Sequence, residues 1–164
     1  KDPRTSLFLD FWAALLPEAR FIFVFRRAGE VVESLRRRSD RELTYHGHGA
    51  WLMRQFGFKW FWLFRAINLW LRYNGEIIRF CRAHPERSCV LGLHGLANQL
   101  PVALASLRSR WRLELRDPDI SAVLDQEMLH SRVSTTVALC CWRRDVRAVY
   151  GDLSELVAAS VVPS

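Results

Sequence analysis

Hydrophobic residues follow two different spacings along this chain, and together these predict alternating strands and helices. Residues 20 to 26 contain the run FIFVF, in which no polar residue interrupts the apolar ones. Such a run is typical of a strand in a parallel sheet whose two faces are both covered by helices. The segment SCVLGL, residues 88 to 93, predicts a second strand of the same kind.

Other apolar residues recur at helical spacing. Residues 6 to 16 predict one helix, and residues 28 to 38 predict another that turns Val31 and Leu35 inward, with Val32 as a further candidate. The remaining predictions, in chain order, are a polar loop over 40 to 50, a long helical region to about His84, a helix over 99 to 110, a short strand at 111 to 115, an irregular segment over 116 to 134 and a final helix over 135 to 158.

This order of elements predicts a single α/β domain over residues 1 to 164, with helices on both faces of a parallel sheet and right-handed crossovers. Two or three strands make a small sheet for such a fold. The simplest interpretation is that a further, central strand precedes Lys1, and that the chain is the C-terminal part of a larger domain.

Composition supports a folded, basic protein. Half of the 164 residues are hydrophobic, and seven Trp and ten Phe argue against disorder. The net charge of +7 comes almost entirely from arginine, because Lys1 and Lys59 are the only lysines. Arginine prefers planar partners such as phosphate and carboxylate. The charge therefore fits anionic ligands, nucleic acid or acidic lipid without choosing among them.

The aromatic run WLMRQFGFKWFWLFRAINLWL, residues 51 to 71, has the length of a membrane span but contains Arg54, Lys59 and Arg65. Charges at that depth are costly, so the run predicts a helix buried on most of its surface. A face that binds a membrane surface or a partner is the alternative, because Trp and Phe beside basic residues suit an interface.

The four cysteines have neither metal-ligand spacing nor the pattern of a secreted disulfide framework, so buried free thiols are expected. Reduced thiols and the heavy use of arginine favour a bacterial, cytoplasmic protein.

Candidate chemistry begins where the first strand ends. Arg26 and Arg27 follow it directly, and the next helix starts with Ala28 and Gly29, without a residue that caps it. Ligands bind at the carboxyl ends of parallel strands, and uncapped helix N–H groups favour anions. The sequence thus predicts an anion site here, with Glu30 as the rival partner for the positive charge.

A family resemblance adds to this hypothesis. RRAGEVVES resembles the segment of sulfotransferases that binds the 3′-phosphate of 3′-phosphoadenosine 5′-phosphosulfate (PAPS): an Arg at a strand end, then a Ser eight residues later. The bacterial members of that family are similar in the opening Lys-Asp-Pro-Arg, the helix ending in Leu-Pro, LWLRYN at 69 to 74 and the apolar strand after HPER. The resemblance covers most of residues 1 to 94 and implies a P-loop-type three-layer α/β/α fold.

The resemblance implies roles for five residues. Arg26 and Ser34 would bind the 3′-phosphate, and His94 would lie near the adenine, where the family often has a tyrosine. Lys1 falls where many members have a lysine near the transferred group. Asp2 is a candidate base by proximity, where the family's usual histidine is absent; pairing with Arg4 is its alternative role.

The implied activity is transfer of a sulfuryl group from PAPS to a hydroxyl group of a small molecule, carbohydrate or lipid, with no metal. The family's Gly-rich loop for the 5′-phosphosulfate would precede Lys1, so the fragment alone is expected to be inactive. His46 and His48 are either exposed loop residues or acceptor contacts. The alternative from another class is a basic, aromatic-rich module that binds nucleic acid or a membrane surface without catalysis. Scattered arginines and the lack of a known binding motif argue against nucleic acid.

Overall fold

The structure, a computed structural model, describes residues 3–45, 58–116 and 132–161. Within these ranges the chain is mostly helical and carries one small parallel sheet, as expected for the α/β class. The strands are β1 (Phe21–Phe25) and β2 (Ser88–Gly92). The helices are α1 (Leu9–Leu15), α2 (Ala28–Tyr45), α3 (Phe58–Ala83), α4 (Leu96–Trp111), α5 (Thr135–Cys141) and α6 (Arg144–Val161), with short 3₁₀ turns at Pro3–Phe8, Pro85–Arg87 and Leu93–Gly95.

The two predicted strands are hydrogen-bonded neighbours and run parallel, which confirms the prediction. Their register runs from Phe21 opposite Ser88 to Phe25 opposite Gly92. A parallel connection needs a crossover of a dozen residues or more. Here the chain between the strands includes α2 and α3. Because the strands are parallel, both end at the same edge of the sheet.

The core lies mainly between the sheet and one layer of helices. Helices α2, α3, α5 and α6 pack together on this side, and their innermost residues join Val90 of β2: Val32, Ile67, Val137 and Leu153. On the opposite face, α4 covers β2, where Ala103 and Leu107 pack against Cys89 and Leu91. Helix α1 closes the amino end of β1 by packing Leu9 and Ala13 on Phe80 of α3.

The outer edge of β2 is occupied by a side chain from α6. The Val90 amide donates a hydrogen bond of 3.0 Å to the Ser160 hydroxyl, and that hydroxyl donates to the carbonyl of Leu156 in its own helix. Ser106 of α4 donates to the Ser160 carbonyl at 3.1 Å. Ser160 thereby ties β2, α4 and α6 together.

The prediction that both faces of β1 are covered is wrong for the described residues. Ile22 and Val24 are 50% and 45% exposed, although their partners in register, Cys89 and Leu91, are buried. The reason is that α4 lies over β2 and does not reach across to β1. The burial of β1 therefore alternates along the strand, while its sequence does not.

Helix α2 also departs from the prediction. Leu35 is 42% exposed, because the helix leaves the core after Glu33 and residues 34 to 38 are all exposed, whereas Val32 is fully buried. The helix then continues to Tyr45, through part of the predicted polar loop. Residues 41 to 45 contain neither Gly nor Pro, so nothing in that stretch stops a helix. The rest of that loop, with His46 and His48, lies outside the described residues.

Two predictions in the second half of the chain are wrong in detail. Residues 112 to 116 form no strand, because Arg112 adopts a φ of 51° and turns the chain at the end of α4. Left-handed residues commonly end helices in this way. The expected final helix is two helices, α5 and α6, separated at Trp142 and Arg143.

Helix α3 confirms the long helical region but not its expected burial. Leu63, Ala66 and Ile67 pack in the core, whereas four aromatic residues of the first turns are substantially exposed: Trp60, Phe61, Trp62 and Phe64. The prediction of a helix buried on most of its surface is therefore wrong here, since only one stripe of α3 meets the core. Among the helices of the described ranges, none has both the length and the apolar composition to cross a membrane.

Segment 132–134 packs against α2 and is held there by Glu33. The Glu33 carboxylate is nearly inaccessible and accepts hydrogen bonds from Arg36 Nη2 at 2.6 Å and from the Ser134 hydroxyl at 3.0 Å. Arg37 donates to the Arg132 carbonyl at 2.8 Å. Burial alone would raise the pKa of Glu33, but the hydrogen bonds from Arg36 and Ser134 outweigh it and hold the pKa at about 2.

The hydrogen bonds to the buried Glu33 carboxylate predict a loss of stability in acid. Because the pKa of Glu33 falls from 4.5 to about 2 on folding, the carboxylate stabilises the fold by about 3 kcal/mol above pH 5. That contribution is lost as the pH drops towards 2. Glu33→Gln should therefore lower the free energy of unfolding at pH 7 by an amount of that order, and the difference from the parent should shrink between pH 5 and pH 2.

Urea unfolding across that pH range measures the effect. Glu76→Gln is the matched control, because Glu76 pairs with Arg79 at an exposed position and its loss should change stability little. Equal losses for both variants, or a Glu33→Gln penalty that persists at pH 2, would contradict the assignment.

Candidate functional site

Parallel pairing brings two of the predicted site residues to one edge of the sheet. Arg26 follows β1 immediately, and His94 lies two residues beyond the end of β2. The last residues in register, Phe25 and Gly92, are opposite each other. The first turn of α2 begins at the same edge, so a cation, an imidazole and a helix N-terminus meet where ligands bind in open parallel sheets.

Glu30 stands between the two residues. Its carboxylate approaches Arg26 Nε at 3.6 Å through one oxygen and His94 Nδ1 at 3.9 Å through the other. Only 11% of its side chain is exposed, against 30% for Arg26 and 50% for His94. The rival partner considered for the strand-end charge is thus present beside Arg26, and the pair with His94 carries charge when the imidazole is protonated.

The contact between Arg26 and Glu30 is an ion pair rather than a close hydrogen bond. A distance of 3.6 Å between Nε and the carboxylate oxygen exceeds the normal range of 2.7–3.2 Å for hydrogen bonds. At Nε the two side chains are therefore held by charge rather than by a close hydrogen bond.

Trp70 fixes the backbone of the site. Its indole Nε1 donates a hydrogen bond of 3.0 Å to the carbonyl of Arg26, and the ring is only 4% exposed. Asn74, one turn later, donates to the Trp70 carbonyl at 2.7 Å. The sequence did not reveal this role of Trp70, because helical spacing shows which residues are buried but not which polar atoms they carry inward.

Ser34 lies on α2, one turn after Glu30, and is exposed. Positions 26, 30 and 34 are spaced by four residues, so Glu30 and Ser34 share one face of the helix. Arg27 is exposed as well. The pairing of Arg26 with Ser34 around a phosphate stays a prediction, and Lys1 and Asp2 lie outside the described residues.

Gly29 lies beside Val133 of segment 132–134. A Cβ at this position would meet the Val133 side chain at 3.2 Å. Gly29 therefore allows segment 132–134 to pack closely against α2.

The cysteines do not contribute to the site. All four are free, as predicted; Cys81 and Cys89 are buried and Cys140 and Cys141 are half-buried. Burial raises the pKa of the Cys81 and Cys141 thiols to about 11, so they stay protonated at neutral pH. Over the described ranges, no cluster of His, Cys, Asp or Glu is arranged to hold a metal ion.

Comparisons of the chain with protein-family models, curated proteins and solved structures found no match. The assignment of a function therefore depends on the residues and geometry described above.

The role of Trp70 can be tested by removing its donor. Trp70→Phe leaves the Arg26 carbonyl without its partner, which should cost about 1–3 kcal/mol, in addition to the lost ring volume. Guanidinium unfolding measures this. Trp142→Phe is the control, since Trp142 is 72% exposed, and its change should stay below about 1 kcal/mol. Similar losses for both variants would show that Trp70 does not fix the strand end.

Proposed function

We propose that this chain forms part of a sulfotransferase of P-loop-type three-layer fold, which transfers a sulfuryl group from PAPS to a hydroxyl acceptor. The observation that carries the proposal is the meeting of Arg26, the first turn of α2 and His94 at the carboxyl edge of two parallel strands. It is supported by the Arg-to-Ser spacing of RRAGEVVES and by the ordered resemblance over residues 1 to 94.

In this proposal Arg26 and Ser34 bind the 3′-phosphate of the donor. Arg26 supplies charge-assisted hydrogen bonds, and Ser34 supplies a neutral one from the exposed face of α2. His94 lies on the side of the adenine. Because the 3′-phosphate is remote from the reacting sulfur, these residues contribute binding and alignment rather than bond breaking.

Glu30 holds Arg26 in place before the donor arrives. Its carboxylate is close enough to orient the guanidinium, and its negative charge also opposes a phosphate at the same position. Glu30 is therefore a positioning residue. It orients the Arg26 side chain, and its negative charge lowers the affinity for the donor.

Transfer itself is an in-line displacement in which charge stabilisation does most of the catalysis. The acceptor hydroxyl loses its proton to a base as its oxygen bonds to sulfur, and the bond from sulfur to the bridging phosphate oxygen breaks. In the proposal Lys1 stabilises the leaving phosphate and Asp2 is the candidate base.

Binding of adenosine 3′,5′-bisphosphate, measured by calorimetry, tests the phosphate site. Arg26→Ala should remove about 1.5–3 kcal/mol of binding free energy and weaken binding about ten- to a hundredfold, and Ser34→Ala should cost about 1 kcal/mol. Glu30→Gln should strengthen binding about fivefold, because it removes roughly 1 kcal/mol of charge repulsion. Arg27→Ala is the matched control and should bind as the parent does.

Adenosine 5′-monophosphate, which lacks the 3′-phosphate, completes the design. The losses in Arg26→Ala and Ser34→Ala should nearly vanish with this ligand, since the partner of both residues is gone. The assignment is wrong if either variant weakens both nucleotides equally, or if the parent chain does not distinguish them.

A further inference from the structure

Helix α3 carries an exposed aromatic cluster that the proposed site does not use. Trp60, Phe61, Trp62 and Phe64, here named the aromatic end, are between 43% and 56% exposed. Neighbouring positions 63, 66 and 67 are buried in the core. Exposure of four large aromatic side chains within five residues exceeds the scattered apolar residues normal on a protein surface and marks an interaction site.

The aromatic end projects beyond the carboxyl edge of the sheet. Phe80 of α3 packs on Phe21 at the start of β1, with ring centroids 4.9 Å apart, whereas Trp70 bonds to Arg26 just after the end of β1. Helix α3 therefore runs antiparallel to β1. At 1.5 Å per residue, positions 60 to 64 lie about 9–15 Å further along the helix axis than Trp70.

In the sequence around the aromatic end, every Lys, Arg, Asp or Glu position is a Lys or Arg. No Asp or Glu occurs between Glu42 and Glu76, and this interval contains Arg54, Lys59, Arg65 and Arg72. Arg65 and Arg72 are both exposed and follow Phe61 by four and eleven residues, so the three share the outward face of α3. The Arg65 guanidinium lies 5.7 Å from the Trp62 ring centroid.

We infer that the aromatic end of α3 docks on an anionic lipid surface. Trp and Phe side chains partition favourably into the boundary between headgroups and acyl chains. Arg65 and Arg72 lie where they can contact lipid phosphates. Basic residues near such a surface each contribute about 1 kcal/mol of attraction. An acid-free, basic interval around exposed aromatic rings is complementary to a negatively charged bilayer in both polarity and charge.

The arrangement suits a bilayer better than a nucleic acid. Single strands bind in a basic groove in which successive bases stack on aromatic rings. Here the rings spread around the convex outer surface of one helix end, with Trp60 and Trp62 on opposite flanks of Phe61. A flat, deformable surface accommodates that shape. Docking in this way does not depend on the proposed sulfuryl transfer.

Flotation of the whole chain with lipid vesicles tests the inference. The chain should float with vesicles of phosphatidylcholine and phosphatidylglycerol at 7:3, bind vesicles of pure phosphatidylcholine at least tenfold more weakly, and lose affinity as salt is raised. Phe61→Ser combined with Phe64→Ser should weaken binding to the anionic vesicles at least tenfold. Arg65→Glu should reduce the preference for anionic vesicles.

Phe11→Ser is the matched control. Phe11 is 59% exposed, against 56% for Phe61, but it belongs to α1, which packs near Phe80 at the other end of α3. Its binding to anionic vesicles should equal that of the parent. Circular dichroism and thermal unfolding of each variant confirm that the comparison concerns folded protein.

Several outcomes would overturn the inference. These are the absence of vesicle binding by the parent, equal losses in the Phe11 and Phe61/Phe64 variants, and binding that ignores lipid charge. Light scattering and DNA titration cover the other occupants. If the Phe61/Phe64 substitutions abolish self-association or DNA binding while vesicle binding is unchanged, the aromatic end serves a second copy of the chain or a nucleic acid instead.

Discussion

The parallel pairing of β1 with β2 is the constraint on which the arrangement of this chain depends. Five residue pairs in register oblige both strands to end at one edge, although about sixty residues separate them in sequence. The crossover must then bring α2 and α3 back alongside the sheet, and this packs α3 antiparallel to β1. That geometry brings together four residues of the candidate site: Arg26, Glu30, Trp70 and His94. Only the contact between Arg26 and Glu30 is local in sequence, so the other contacts depend on the fold.

Helix α2 shows how neighbouring carboxylates can serve separate purposes. Glu33 faces segment 132–134, is sealed from water and receives its hydrogen bonds from two parts of the chain. Glu30, three residues earlier, faces the sheet edge and is bracketed by a guanidinium and an imidazole at longer distances. Tight hydrogen bonding makes Glu33 a structural fastener. The longer contacts of Glu30 place its carboxylate between Arg26 and His94 at the edge of the sheet.

The sequence predicted what depends on local pattern and missed what depends on distant partners. The runs FIFVF and SCVLGL were sufficient for both strands and their parallel relation, because strand pattern and crossover length restrict the alternatives. Exposure of Ile22, Val24 and Leu35 was not predictable, since it depends on how far α4 and the core extend. Val133 beside Gly29 lies more than a hundred residues away from it in sequence, and no periodicity reveals such a contact. For the candidate site, the sequence proposed Lys1, Asp2, Arg26, Ser34 and His94 and weighed Glu30 as a rival. Only the fold shows that Glu30 lies 3.6 Å from Arg26 and 3.9 Å from His94.

Ser160 blocks a hydrogen-bonding position on one edge of the small sheet. The Val90 amide on the outer edge of β2 could bond to another strand, but it already donates to the Ser160 hydroxyl of α6. The Ser160 carbonyl in turn accepts a hydrogen bond from Ser106. Unprotected strand rims invite pairing between molecules, and blocking them with a side chain is one of the ways proteins avoid it. Within the described ranges β1 has β2 as its sole strand neighbour. A strand that paired with β1 on its other side would lie next to the half-exposed Ile22 and Val24.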